Sequence, residues 1–288
     1  MSVQHASLIH RSVLGAAVAA ALLAMPAAQA ADAAPAASDW SFPATVGVVS
    51  DYIFRGQSQS WGKPSLQASV EADHASGIYV GTAFETVSSQ WLPGAKGELD
   101  FFGGYRNKIA DTVGYDVGAV YYTYPGGNWK DSVFSPTAPN SLNTLEVYAS
   151  VSYSFLSLKA GRTMTEYFGW STDNSPTGTG FAGNPSAGVT GSTKGSYFYE
   201  ANASYDVVEG WTLSGQLGRQ VIAHSKGLNI NYYKVGVSHA LPAGWSAGVF
   251  YSGTNEPTAY KNFISLANGA TSSNIAKKKA FVTVSKAF

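Results

Sequence analysis

The sequence lacks cysteine, has few charges and shows no long apolar run in its body. With no Cys among 288 residues, disulfides, thiolate metal sites and cysteine nucleophiles are excluded. Charged residues make up 12%, about half of the usual share. The formal net charge is zero, so neither nucleic acid nor a polycation is indicated as a partner.

The residues that are abundant point to a β-protein. Aromatic residues reach 13%, with 17 Tyr, and Gly occurs 31 times. No apolar stripe with helical periodicity extends over a useful length. Few charges together with many Tyr and Gly indicate an all-β protein in an unusual solvent.

Residues 1–30 are predicted to be a secretory signal peptide. A weakly positive start ends at Arg11, an apolar run covers Val13 to Ala24, and Ala28-Gln29-Ala30 supplies the small residues of a cleavage site. The run is too short and too Ala-rich for a membrane span, which disfavours the alternative of an anchor helix. Residues 31–42 are predicted to be a flexible lead-in.

Alternation of apolar and polar residues organises the remaining chain. In SLQASVEAD (65–73), the apolar residues from Leu66 to Ala72 occupy every second position, and TLEVYASVSY (144–153) repeats the pattern. Period two is the signature of β-strands. Most segments are near the length of about ten residues that a tilted strand needs to cross a bilayer core. The predicted strands are 44–56, 64–73, 77–87, 97–107, 113–124, 143–153, 157–168, 195–206, 211–222, 230–240, 244–254 and 279–288.

The connections between these segments alternate between short and long. HAS, KIADT, SFL, VVEG and LPAG are short, whereas 125–142, 169–194 and 255–278 are long and rich in small polar residues. Short turns at one end and long loops at the other are typical of outer-membrane barrels. A soluble sandwich or jelly roll, the alternative, has no reason to sort its loops in this way. Residues 43–288 are therefore predicted to form a transmembrane up-and-down antiparallel β-barrel of about 12 strands.

Aromatic residues agree with a membrane barrel. Tryptophan is absent from the middle of every predicted strand, which indicates two aromatic girdles at the membrane interfaces. The final strand ends on Phe288, and a terminal aromatic resembles the signal that hands barrels to their insertion machinery. Lys286 on the same face departs from the usual apolar choice, but its amine can reach the headgroups. The seven tryptophans are Trp40, Trp211 and Trp245 at the turn end and Trp61, Trp91, Trp129 and Trp170 in or beside the loops.

Four motifs occur in a characteristic order. They are SDYIFRGQSQS (50–60), SLQASVEADHASGIYVGTAFETVSS (65–89), GELDFFGGYR (97–106) and GAVYYTYPGG (118–127). This order resembles the TorF family of porins over about residues 45–127, and the rest of the chain shares its strand rhythm. The resemblance implies an outer-membrane barrel and a porin function, and it brings no catalytic or binding residues.

The polar face of the strands is predicted to line the lumen, because an Arg or Lys facing lipid at mid-membrane costs about 2–4 kcal/mol. This wall is acidic on balance, which predicts a narrow, water-filled channel for small hydrophilic solutes with a mild preference for cations. The alternative is that these charges pair across strands and close the lumen. The predicted pore-lining residues are Asp51, Arg55, Glu71, Glu85, Glu98, Asp100, Arg106, Asp116, Glu146, Lys159, Glu200 and Lys234.

The first predicted strand combines an apolar face with opposite charges. Val48, Tyr52 and Phe54 are expected to face lipid, and Gly56 is expected to release the chain into an outer loop at 57–63. Asp51 and Arg55 lie about 13 Å apart along a strand and cannot pair with each other. We expect each to find its partner on the second or the twelfth strand.

Two other function classes have less support in the sequence. A surface-binding or adhesion barrel would act through loops such as 169–194, although a flexible loop or a lid folded into the pore mouth is the favoured interpretation of that stretch. An enzyme is disfavoured because His74, His224 and His239 lack a converging Ser and acidic residue. No His, Asp and Glu spacing indicates a metal site.

The sequence therefore predicts a porin of the Gram-negative bacterial outer membrane. Its expected partners are outer-membrane lipid, the barrel-insertion machinery and small solutes or ions. Neither a cofactor nor nucleic acid is expected.

Overall fold

The computed structural model describes residues 38–135, 140–174 and 187–288. The predicted signal peptide and most of the predicted lead-in lie outside the described residues. Within the described part of the chain, no helix is both long and apolar enough to cross a membrane.

Twelve long strands form a closed antiparallel barrel. The main sheet has thirteen strands, of which the two-residue strand Trp40–Ser41 only extends one edge, and the second and third long strands pair to close the ring. The twelfth strand pairs with both the first and the eleventh. The strands are β1 Ala44–Val49, β2 Ser65–His74, β3 Ile78–Glu85, β4 Glu98–Ile109, β5 Val113–Thr123, β6 Thr144–Tyr153, β7 Leu156–Thr163, β8 Tyr197–Val208, β9 Trp211–Val221, β10 Ile230–Ala240, β11 Trp245–Thr254 and β12 Lys279–Ala287.

The all-β barrel predicted from the sequence is confirmed. Ten of the twelve predicted strands match the observed ones to within two residues at each end. The first and seventh are wrong at their C-terminal ends, because the chain leaves the wall after Val49 and after Thr163. In the second case a 3₁₀ turn at Tyr167–Gly169 takes over, with Phe168 in the left-handed region.

The outer wall of the barrel is an apolar belt. Side chains at alternate positions of each strand point outward and are exposed, as in Leu66 and Val70 of β2, whereas Ser65 and Gln67 on either side of Leu66 are buried. The pleat of a strand produces this division, and the sequence alternation therefore sets which face points outward. Large outward residues include Val48, Val80, Phe101, Val117, Val147, Leu158, Leu217, Val235, Val249 and Val282.

The connections divide the barrel into a turn end and a loop end. At the turn end, short connections such as residues 110–112 join neighbouring strands, and Ala110 and Asp111 both adopt the positive φ that a type I′ turn requires. Trp40, Trp211 and Trp245 are partly exposed at this end. Trp211 stacks on His239 at a centroid distance of 4.3 Å.

An apolar core covers the loop end of the barrel. Trp91, Trp129 and Trp170 are 3%, 1% and 2% exposed and pack with Phe168 and Phe263. The prediction that these tryptophans form a loop-end girdle is wrong, because the long loops fold onto each other and bury their aromatic residues. The shorter elements are Ile53–Phe54, Gln57–Ser58, Gly188–Val189, Ser225–Lys226, Phe263–Ile264 and Ser272–Ser273 as strands, Thr258–Lys261 as an α-helical turn, and Trp129–Asp131, Tyr167–Gly169 and Pro242–Gly244 as 3₁₀ turns.

Candidate functional site in the barrel lumen

Residues 50–60, here called the plug segment, leave the wall after β1 and enter the lumen. Ile53–Phe54 pairs with Gln57–Ser58 as a small antiparallel hairpin. Its two-residue turn consists of Arg55 (φ 47°) and Gly56 (φ 80°). Positive φ at both central positions is the type I′ geometry that suits a hairpin. The sequence FRGQ thus folds back on itself instead of continuing the strand.

The prediction that two aromatic residues of the plug segment face lipid is wrong. Tyr52 and Phe54 are 1% and 5% exposed, inside the barrel, and do not face lipid. Phe54 packs edge-on against Tyr122 of β5 and Phe168. The predicted outer loop 57–63 is likewise wrong over residues 57–60, which are buried. Alternation continues through a hairpin, so period two alone does not reveal where the chain leaves the wall.

Arg55 fastens the plug segment to the far wall. Its Nη1 and Nη2 donate to Oε2 and Oε1 of Glu146 at 2.9 and 2.7 Å, and Nη1 also donates to Gln220 Oε1 at 2.6 Å. The guanidinium lies 3.7 Å from the ring centroid of Phe198. All of these partners lie on β6, β8 and β9. The predicted partner on β2 or β12 is therefore wrong, because the hairpin carries Arg55 across the lumen.

Asp51 fastens the base of the plug segment. It accepts hydrogen bonds from Ser58 Oγ at 2.6 Å and Ser60 Oγ at 2.8 Å, and it forms an ion pair with Lys279. Lys279 begins β12, one of the two strands on which the sequence placed the partner of Asp51. The two charges of the plug segment are thus satisfied at opposite sides of the barrel.

An acidic cluster lies on the wall beside the plug segment. Glu85, Glu98 and Asp100 are buried on β3 and β4, with Glu85 and Glu98 directly paired in register. Tyr124 Oη donates to Glu98 Oε1 at 3.0 Å. Burial, with the Glu98 charge adding to it, raises the pKa of the Tyr124 phenol, so this hydroxyl stays a proton donor.

Several polar atoms of this region lack a hydrogen-bond partner among the described residues. Both carboxylate oxygens of Glu85 and both amide atoms of Gln59 and Gln67 are in this state. Gln67 is paired in register with Glu85 and lies on the same inward face. Buried polar groups are normally satisfied by protein, water or ions. The unpaired polar atoms of the cluster are therefore available to water in the lumen.

The lumen nearer the turn end is polar and partly exposed. Arg106 forms ion pairs with Glu71 and with Asp73, the latter at 2.6 Å, and its guanidinium lies 3.9 Å from the Tyr79 ring centroid. Tyr79 Oη donates to Asp116 at 2.7 Å. These charged groups are half-buried, whereas residues 51–60 of the plug segment are fully buried. The plug segment therefore fills the loop-end half of the lumen, and the turn-end half is more accessible.

The remaining predicted lumen residues also point inward. Glu200 accepts from Tyr232 Oη at 2.7 Å, and the Lys159 amine lies 3.7 Å from the Tyr148 ring centroid. Lys234 lies on β10 two residues from the buried Tyr232, on the same face. The structure thus brings all the predicted lumen charges to the inner side, but it divides them between the plugged half and the accessible half.

Sequence reasoning missed the uncharged polar partners of this site. Gln220 anchors Arg55, and Gln59 and Gln67 flank the acidic cluster. Neutral amides carry no charge signal, and their role depends on a hairpin that crosses the barrel. The only local signal for that hairpin is Gly56 after Arg55, a weaker turn signature than Asn-Gly or Asp-Gly.

The histidines of the described chain do not form a catalytic triad with the residues that they contact. His74 Nδ1 contacts Ser76 Oγ at 2.8 Å at the surface of the turn end, and no carboxylate completes a triad there among the described contacts. In the described ranges, no group of three or more His, Asp and Glu residues is placed to hold a metal ion.

The chain is similar to solved porin structures, and its sequence matches one protein family. No curated protein matches the chain. Among solved structures, the KdgM porin in complex with disordered oligogalacturonate is similar at 10% identity, covering 85% of this chain and 99% of that chain, with a TM-score of 0.48. The NanC porin is similar at 8% identity, covering 85% and 98%, with a TM-score of 0.46. A triple mutant of the Rhodopseudomonas blastica porin is similar at 12% identity, covering 77% and 55%, with a TM-score of 0.34. Over residues 33–288 the sequence matches the family described as bacterial protein of unknown function (Gcw_chp), and the chain belongs to that family.

Proposed function

We propose that this protein is an outer-membrane channel for small hydrophilic solutes, with a mild preference for cations and with the plug segment closing its loop end at rest. The observation that carries the proposal is that the wall of the closed barrel is apolar on its outer face and polar on its inner face. Apolar side chains such as Leu158 and Leu217 are exposed outside, and charged side chains line the inside. An exposed belt of this kind is stable in lipid, and a polar interior is typical of channels.

The acidic cluster supports the preference for cations. Glu85, Glu98 and Asp100 lie together on the inner wall, and no ion pair to any of them occurs among the described residues. A lumen lined by one sign of charge concentrates counter-ions. The resemblance of about residues 45–127 to the TorF porins agrees with this proposal. Delivery through the signal peptide and insertion through the strand that ends at Phe288 are parts of the same proposal.

Solute passage requires that the plug segment move. Arg55 and Asp51 hold it through buried polar contacts, and a buried hydrogen-bonded ion pair is costly to break. We therefore expect brief openings between long closed periods. In contrast, the half-buried charges near the turn end form a vestibule that is accessible without this movement.

A second candidate function is a closed barrel that acts through its loops. It is favoured by the loop-end core, in which Trp129 and Trp170 are almost fully buried over the mouth of the barrel. Such a protein would bind or adhere through its external surface and would carry no ions.

Single-channel recording in a planar bilayer separates the two candidates. For the channel, we expect small conductance steps and a reversal potential of cation-selective sign under a KCl gradient. Correct folding is checked by the shift in electrophoretic mobility that barrels show on heating. Folded protein that inserts but gives no steps, with or without applied voltage, would reject the channel in favour of the closed barrel.

A further inference from the structure

The charged side chains on the outer wall of the described strands are all cationic. Arg162 of β7 and Arg219 of β9 have the outward parity of their neighbours Leu158 and Leu217, and both lie near the loop end. Lys286 lies at the turn end. Its amine is 4.8 Å from the Phe288 ring centroid and 5.7 Å from that of Trp245. Lys286 therefore has aromatic partners, and the two arginines need a separate explanation.

Neither arginine has an acidic partner among the described residues. Arg219 faces Tyr199 and Asn231 on the neighbouring strands, and its Nη1 donates to Asn231 Oδ1 at 3.0 Å. Arg162 faces Tyr197. The ion pairs of the described chain involve other residues. Because β7 and β9 are separated by β8 alone and the two arginine positions are offset by two residues along it, their backbones lie about 12 Å apart.

A groove on the outer wall runs from Arg219 towards the middle of the barrel. Its volume is about 850 Å³. Ala149, Ala160 and Ala201 keep its floor low, and Leu158 and Leu217 are among its exposed apolar lining residues. Asn231 and Asn255 lie with Arg219 among its polar lining residues. The groove thus combines a long apolar surface with one cationic, hydrogen-bonding end.

We propose that this groove, called here the arginine groove, binds the lipid A part of lipopolysaccharide. The proposal rests on the proposed function, since it requires that the loop end face the outer leaflet. An outward-facing Arg near the end of a membrane-spanning strand reaches the lipid headgroups, where phosphate is the anion that meets it. Guanidinium groups hold phosphate through paired hydrogen bonds. The phosphates of lipid A contact Arg219 and Arg162, and an acyl chain fills the groove along Leu217 and Leu158.

The test is a lipid titration followed by native mass spectrometry of the full-length mature barrel in detergent. The probes are bisphosphorylated hexa-acylated lipid A, the same lipid without its phosphates, and phosphatidylglycerol. We expect the barrel to retain bisphosphorylated lipid A in preference to both other lipids. The Arg162→Gln/Arg219→Gln variant should bind it at least about tenfold more weakly, as expected for losing a hydrogen bond to a charged group. The matched control is Lys286→Gln, which removes an outer-wall cation at the opposite end and should bind as the parent does.

The outcomes distinguish this proposal from the proposed function. Equal binding of lipid A to the parent and to the double variant would overturn the arginine groove, as would equal retention of phosphatidylglycerol. Either result leaves the conductance of the parent protein untouched. A second variant, Leu217→Trp, fills the groove without changing charge and should also lower lipid A retention. If it binds as the parent does, the acyl-chain part of the proposal is wrong.

Discussion

Arg55 and Glu146 form a bidentate ion pair across the barrel lumen, with both side chains at most 5% exposed. The two residues are 91 positions apart in the chain. Arg55 is at the tip of a hairpin with positive φ, and Glu146 is on the wall strand β6. A non-glycine residue held in this region stores backbone strain, which persists where the surroundings enforce it. This pair is the main candidate for the latch that keeps the plug segment in place.

Arg55→Met should release the plug segment. The variant leaves Glu146 buried without its cation, and breaking a buried pair in this way costs about 3–5 kcal/mol. We expect larger or more frequent conductance steps in a planar bilayer. We also expect a reversal potential shifted further towards cations, because a positive charge has left the lumen.

The double variant Arg55→Met/Glu146→Leu serves as the control for that prediction. Replacing both partners by apolar residues of similar size is often neutral for stability, so closure and thermal stability should return towards those of the parent. An Arg55→Met protein with parental conductance and parental thermal stability would show that this ion pair is not the latch.

A disulfide between positions 56 and 232 should lock the plug segment. A Cβ built on Gly56 lies 2.7 Å from Cβ of Tyr232, and a shift of about 1 Å brings this to the usual disulfide separation. The chain has no cysteine, so the two cysteines of the Gly56→Cys/Tyr232→Cys variant can pair only with each other within one molecule. We expect fewer openings in the oxidised protein than in the same protein after reduction. Equal recordings in both states would contradict a moving plug.

The sequence predicts the wall of this protein better than its interior. Strands such as β10, Ile230–Ala240, were placed without error, because a barrel strand buries one face and exposes the other along its whole length. The same reasoning assigned Tyr52 and Phe54 to lipid, and both lie in the interior. Lipid and a buried plug both select apolar side chains at alternate positions, so the pattern does not distinguish them.

The candidate site shows the same division. Asp51 was expected to meet β2 or β12 and does meet Lys279 of β12, because its position follows directly from the end of β1. Arg55 was expected on the same strands but contacts Glu146 and Gln220. Its location depends on a hairpin entering the lumen, which is a long-range property set by the shape of the closed barrel.

Glu85→Gln should stabilise the folded barrel and weaken its preference for cations. Glu85 is paired in register with Glu98, and neighbouring side chains in such a pair lie about 5 Å apart. Two like charges at that distance repel by about 1–3 kcal/mol in a partly screened site. We expect a higher thermal unfolding temperature in detergent and a reversal potential closer to zero. Glu209→Gln, at the exposed turn end, is the matched control and should change neither. A less stable Glu85→Gln protein would show that the carboxylate is compensated by a bound cation or by a proton.

Gly236→Ala should destabilise the barrel by overpacking. A Cβ at Gly236 would lie 1.9 Å from Cδ1 of Phe250, which stacks on Phe281 with ring centroids 5.4 Å apart. The ring cannot move freely, so a cost of about 1–3 kcal/mol is expected. Gly215→Ala is the control, since nothing lies within 4 Å of its added Cβ and the substitution is made in the middle of a neighbouring strand. Thermal unfolding of the two variants in the same detergent compares them directly. If Gly236→Ala unfolds at the same temperature as Gly215→Ala, then the Phe250 ring is free to move away from position 236.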